Sequence, residues 1–180
     1  MIINRRNVLI LPAAALFSSV SRADLYDDYI NSTSKQPFVA FLGRVATPST
    51  VGHAFISLGV RLDANVLVYE RFFGLYPRDG SLAAVKSVFG PTSGKLDATW
   101  ADVIWDTEFI QDVDDSQKTA ALAQFEKWKS DAPEYSLTGN GGINCNGLVG
   151  DIARSLGLSV PNGAGTTRPW KFIEALKAAN

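Results

Sequence analysis

The hydrophobic pattern has a period of two through the first half of the chain and a period near 3.6 through the second. Phe38 to Val45 (FVAFLGRV) is a short apolar run bounded by Pro37 and Pro48, which predicts a strand. From His53 to Val60, Ala54, Ile56, Leu58 and Val60 alternate with His53, Phe55, Ser57 and Gly59, predicting a second strand. Asp63-Ala64-Asn65 suits a hairpin turn. Val66 to Phe73 (VLVYERFF), β-branched and aromatic, predicts a third strand. Gly74 to Gly94 carries Pro77, Gly80, Gly90, Pro91 and Gly94 and reads as a long loop, and Val103 to Val113 as a fourth strand.

After Val113 the spacing changes. Asp114-Asp115 can cap a helix from about Ser116 to Ser130, with Ala121, Phe125 and Trp128 on one side and Pro133 beyond its end. Tyr135 to Leu137 fits a short strand. A glycine-rich turn, Gly139-Asn140-Gly141-Gly142, leads to a helix starting near Asn144. Its apolar stripe is Leu148, Val149, Ile152, Ala153 and Leu156, and Gly157 stops it. Arg168-Pro169 opens a last helix with proline at its first position. Strands early and helices late indicate an α+β fold, an antiparallel sheet packed against helices.

The first residues form a different kind of segment. Arg5 and Arg6 precede an apolar stretch, Val8 to Phe17, and Ser21-Arg22-Ala23 puts small residues where a signal peptidase reads. Residues 1–23 are therefore expected to be a signal peptide and 24–180 a single domain that is periplasmic or secreted. The Arg5-Arg6 pair leaves the twin-arginine route open. The apolar stretch is shorter than the about 20 residues of a membrane-spanning helix, so no stable transmembrane anchor is expected.

Composition narrows the possible partners. The chain is 46% hydrophobic and 19% charged, a globular balance for 180 residues. Of its 17 lysines and arginines, Arg5, Arg6 and Arg22 lie in the leader, leaving 14 basic against 18 acidic residues, a net charge of −4. No basic cluster is present, so no nucleic-acid partner is expected. Asp112, Asp114 and Asp115 lack the glycine and distal glutamate of a calcium loop, and one histidine with one cysteine is too few for a zinc site. No metal or cofactor is expected. The sequence does not indicate an oligomeric state.

The single cysteine and the single histidine are the candidate chemistry. Exported proteins usually pair their cysteines, so a lone thiol is either buried and inert or kept for reaction. Cys145 follows the glycine-rich turn at a helix start, where backbone N–H groups and the helix dipole favour a thiolate and an oxyanion. It equally extends the apolar stripe towards Leu148 and Val149 as a core residue. His53 opens a strand after Gly52 and has the right pKa range for a general base. Alone, it reads equally as a hydrogen-bonded structural histidine.

The sequence Ile143-Asn144-Cys145-Asn146-Gly147-Leu148-Val149, followed by Ile152-Ala153, Leu156-Gly157-Leu158 and Val160-Pro161, resembles the signature of circularly permuted papain-fold cysteine hydrolases. That group includes permuted NlpC-like peptidases, PPPDE-like peptidases and lecithin:retinol acyltransferase-like enzymes. In it the histidine strand precedes the cysteine helix, as Gly52-His53-Ala54-Phe55-Ile56 does here. The resemblance implies a papain-like, circularly permuted fold with Cys145 as nucleophile and His53 as base. It also implies a third polar residue on the next strand, for which Glu70 is the best match and Asp79 a weaker one. An exposed strand glutamate is the alternative for Glu70. Asn144, Asn146 and Gly142 are the expected oxyanion and substrate-positioning residues.

The function expected from these residues is an exported cysteine amidase or peptidase, with peptidoglycan peptide stems or a similar peptide as substrate. The alternatives are an acyltransferase or lipid deacylase of the same fold, and a non-catalytic binding module with a buried cysteine. The enzymatic reading expects the thiol pKa to lie below that of a free thiol and the sulfur to lie within about 4 Å of an imidazole nitrogen.

Overall fold

A computed structural model describes residues 8–10, 29–47, 52–62, 66–97 and 104–180. In chain order the elements are β1 (Val8–Ile10), β2 (Lys35–Arg44), β3 (His53–Leu62), β4 (Leu67–Pro77), α1 (Ser81–Lys86), β5 (Gly94–Asp97), β6 (Thr107–Asp112), α2 (Asp115–Ser130), α3 (Cys145–Ser155) and α4 (Pro169–Ala178). The strands form one sheet in the order β1-β4-β3-β2-β6, with β5 also paired to β4. All the pairings are antiparallel except β1 with β4. The fold is α+β, as expected. Apart from Val8–Ile10, residues 1–23, the expected signal peptide, lie outside the described residues, as does the turn at Asp63-Ala64-Asn65.

Strand alternation divides the core in two. Val39, Phe41, Ala54, Ile56, Leu58, Phe73 and Leu75 face the helices, where they pack with Ala121, Phe125, Leu148, Ile152, Phe172 and Ile173. Phe38, Ala40, Leu42, Phe55, Leu67, Tyr69 and Phe72 form the opposite face with Trp105 and Ile110. Burying one such side chain contributes about 1.5–3 kcal/mol, so two populated faces fix the register of every central strand.

Two features depart from the sequence reading. The stretch from Gly74 to Gly94 is not one long loop. β4 runs on to Pro77, α1 follows, and β4's end pairs with β5 from Gly74↔Asp97 to Pro77↔Gly94. β4 also carries a bulge: Leu58 pairs with Arg71 and Gly59 with Tyr69, leaving Glu70 as the extra residue. The bulge flips the alternation, so Phe72 and Phe73 are both buried and Arg71 is exposed.

Candidate active site

Cys145 occupies the first turn of α3. Asn144 caps this helix, its Oδ1 accepting the Gly147 N–H at 3.0 Å. The helix lies against the start of β3, and the backbone N–H groups of Ala54, Asn146 and Cys145 itself sit close enough to the thiol sulfur to favour its charged form. The Ala54 N–H is available because β3 and β4 part here: their ladder ends at Ile56↔Phe73, while β4 turns to β5. β2 continues to pair with β3 as far as Arg44↔His53. Cys145 thus sits at the fork where β4 leaves β3.

The thiol is 4% exposed. Burial pushes its pKa up, while the three N–H groups and the Arg44 charge pull it partly back. This overturns the expectation of a lowered thiol pKa: removing the sulfur from water outweighs the donors around it. The resting group is a protonated thiol. Tyr135 adjoins it through a bridge to Ile143, two residues before the cysteine, and is buried in the same cluster. Its phenol pKa is raised, first by burial and then by the Cys145 charge.

His53 belongs to the other face of the sheet. Its ring stacks on Phe55 at 5.7 Å, on the side away from α3, and lies tilted against Tyr76 at 4.4 Å. Nε2 reaches across β4 at Gly74, where a Cβ would come within 2.6 Å of it. The chain therefore brings His53 and Cys145 to the same fork, from opposite faces. Their backbones are neighbours through Ala54, and only a residue without a side chain at position 74 leaves room for the imidazole.

The other expected site residues serve different ends. Glu70 is corrected: its carboxylate binds Lys118 Nζ at 2.8 Å and the Tyr29 hydroxyl at 3.4 Å. The bulge sets it opposite Leu58 and Gly59, five residues from His53, or about 17 Å along the strand. Asp79 is exposed on the turn after β4. The side-chain amides of Asn144 and Asn146 are engaged with backbone carbonyls. Asn144 Nδ2 donates to the carbonyls of Leu137 at 3.1 Å and Ala164 at 2.9 Å. Asn146 Nδ2 donates to those of Ala164 at 3.0 Å and Thr167 at 2.7 Å. Gly142 is needed for packing, since a Cβ there would lie 2.5 Å from the Glu134 carbonyl oxygen. Phe72 and Phe73 are core, while Tyr76 is half-buried over the histidine.

Sequence reasoning missed Tyr135 and Arg44 as neighbours of the thiol. The signal for Arg44 was its place at the end of the strand preceding His53. Tyr135 had none beyond its nearness to the glycine-rich turn. Among the described residues, no group of three or more His, Cys, Asp or Glu could hold a metal ion, and no helix is long and apolar enough to cross a membrane. Comparison with known proteins finds no matching family model, no matching curated protein and no matching solved structure.

Proposed function

We propose that this chain is an exported cysteine hydrolase of the permuted papain-like kind, an amidase or peptidase with Cys145 as nucleophile. The observation that carries the reading is the gathering of backbone N–H groups around the sulfur at a helix start, where β3 and β4 part. Backbone donors held in place by a helix and a sheet edge stabilise negative charge on sulfur, and on a carbonyl oxygen bound next to it, without reorganising.

Because the resting thiol is protonated, the chemistry starts with general-base catalysis. His53 faces the other side of the sheet, so in this reading its ring must turn through the fork at Gly74 to take the thiol proton as sulfur attacks the amide carbonyl. The C–S bond forms and the carbonyl π electrons move onto oxygen. The same proton then passes to the leaving amine as the C–N bond breaks, and water hydrolyses the thioester. The Tyr135 phenol, kept protonated by burial, lies close enough to the thiol to feel its charge. Peptide stems of peptidoglycan are the substrate class that fits an exported amidase, and acyl transfer or lipid deacylation would use the same nucleophile.

A second reading is favoured by one specific observation. Burial of the sulfur at 4% exposure and the raised thiol pKa are what a core cysteine in a non-catalytic binding module would show. The test is to incubate the protein and its Cys145→Ala variant with peptidoglycan fragments and with lipid esters, and to mass-analyse the products. Cleavage by wild type alone, through a trapped thioester on Cys145, supports the hydrolase. Equal product patterns from both proteins would move the assignment to the binding module.

A further inference from the structure

After α3 ends, the chain doubles back along it. Leu158 N–H bonds to the Ala153 carbonyl at 3.0 Å, and Val160 packs against Gly150, a Cβ on which would lie 3.3 Å away. This return delivers a tight turn, Gly163 to Thr167, to the helix start. Gly163 has φ +86°, and its carbonyl accepts from both Thr166 N–H and Thr167 N–H. The Ala164 carbonyl is held by Asn144 and Asn146 together, the residues on either side of Cys145. Asn146 also holds the Thr167 carbonyl. On its far side the turn abuts Thr138 and Gly139, with a Gly165 Cβ position only 2.5 Å from the Thr138 carbonyl oxygen. One feature of the closed arrangement is left unsatisfied: Asn146 Oδ1 is buried without a hydrogen-bond partner.

We propose that residues 163–167 form a strap that closes over Cys145 and opens to admit substrate, with Asn144 and Asn146 as its latch. The latch accounts for asparagine on both sides of the cysteine when neither amide is free to serve an oxyanion. It also reconciles a buried sulfur with a hydrolase, because the closed strap is the resting state. Opening exposes Asn146 Oδ1 to water or to a substrate N–H, which offsets part of the latch's hydrogen bonding. The purpose of the strap rests on the hydrolase reading, but its control of access to the thiol does not.

The experiment is the rate of iodoacetamide modification of Cys145 in the folded protein, read by intact mass. Wild type should react well below the rate of a free thiol at matched pH. Asn146→Ala removes two of the three latch bonds, and Gly165→Ala drives a methyl group into the Thr138 carbonyl. Each should accelerate modification by about tenfold or more, the effect expected from losing two hydrogen bonds. Phe125→Leu, a core change on α2 away from the strap, controls for general loosening. Wild-type reaction at the free-thiol rate, unchanged rates in both strap variants, or equal acceleration in Phe125→Leu would each overturn the strap. The hydrolase reading fails separately, if product formation survives Cys145→Ala.

Discussion

At the scale of single residues, the sulfur's surroundings decide its reactivity. Burial raises the thiol pKa, and the N–H groups of Ala54, Asn146 and Cys145 oppose the shift without cancelling it. The thiolate fraction near neutrality is therefore below that of a free thiol, whose pKa is about 8.5. The pH profile of alkylation should have its midpoint above that value, and a midpoint near 7 would contradict the protonated resting state. Gly74 is the second decisive residue. Gly74→Ala sets a methyl group 2.6 Å from His53 Nε2 and 3.2 Å from the Phe55 Cβ. The imidazole must move, so turnover should fall by at least tenfold on the substrate identified, as expected when a general base is displaced. Retained turnover in a folded Gly74→Ala protein would remove His53 from the mechanism.

At the scale of elements, what was legible followed from periodicity, and what was not followed from tertiary contacts. β3 and α3 could be placed from alternation and from an apolar stripe. α1 and β5 lay in a segment punctuated by glycine and proline, where local signals favour a loop. The alternation put His53 on the same side as Phe55, but which side meets α3 depends on how the helix packs. Glu70 does not meet His53 because the β3–β4 register, which no local pattern encodes, sets it near Leu58 at the far end of the strand, where its carboxylate meets Lys118 on α2. The helix caps, by contrast, were local and readable. Asp114 makes a full capping box with Gln117, accepting its N–H at 2.8 Å and returning its own to Oε1 at 3.0 Å. Asp114→Ala should cost about 1 kcal/mol in chemical denaturation. Because α2 begins away from the fork, the variant's alkylation profile should match wild type. A changed profile would mean that the helix cap and the thiol are coupled.

At the scale of the whole molecule, the two acids buried beside each other tie stability to pH. Cys145 and Tyr135 both have pKa values raised by folding, chiefly by burial, and each ionised group would repel the other. A raised acid binds its proton more tightly in the folded state than in the unfolded one. Below the thiol's unfolded pKa of about 8.5 both states are protonated, and the contribution to stability is fully present. As pH rises past that point the unfolded chain releases its thiol proton while the folded chain keeps it, and stability falls. Past about 10 the tyrosine adds a second retained proton. The slope approaches about 1.4 kcal/mol per pH unit for each proton held only by the folded state. Urea denaturation at several pH values from 7 to 11 should show this loss beginning above pH 8. Cys145→Ala should remove its first part, and Tyr135→Phe, which keeps the ring and loses the hydroxyl, the part that begins near pH 10. Other groups titrating in this range contribute equally to all three proteins, so the comparison isolates the buried pair. Three parallel stability curves would show that neither proton is retained on folding, and that the sulfur is open to water in the native state.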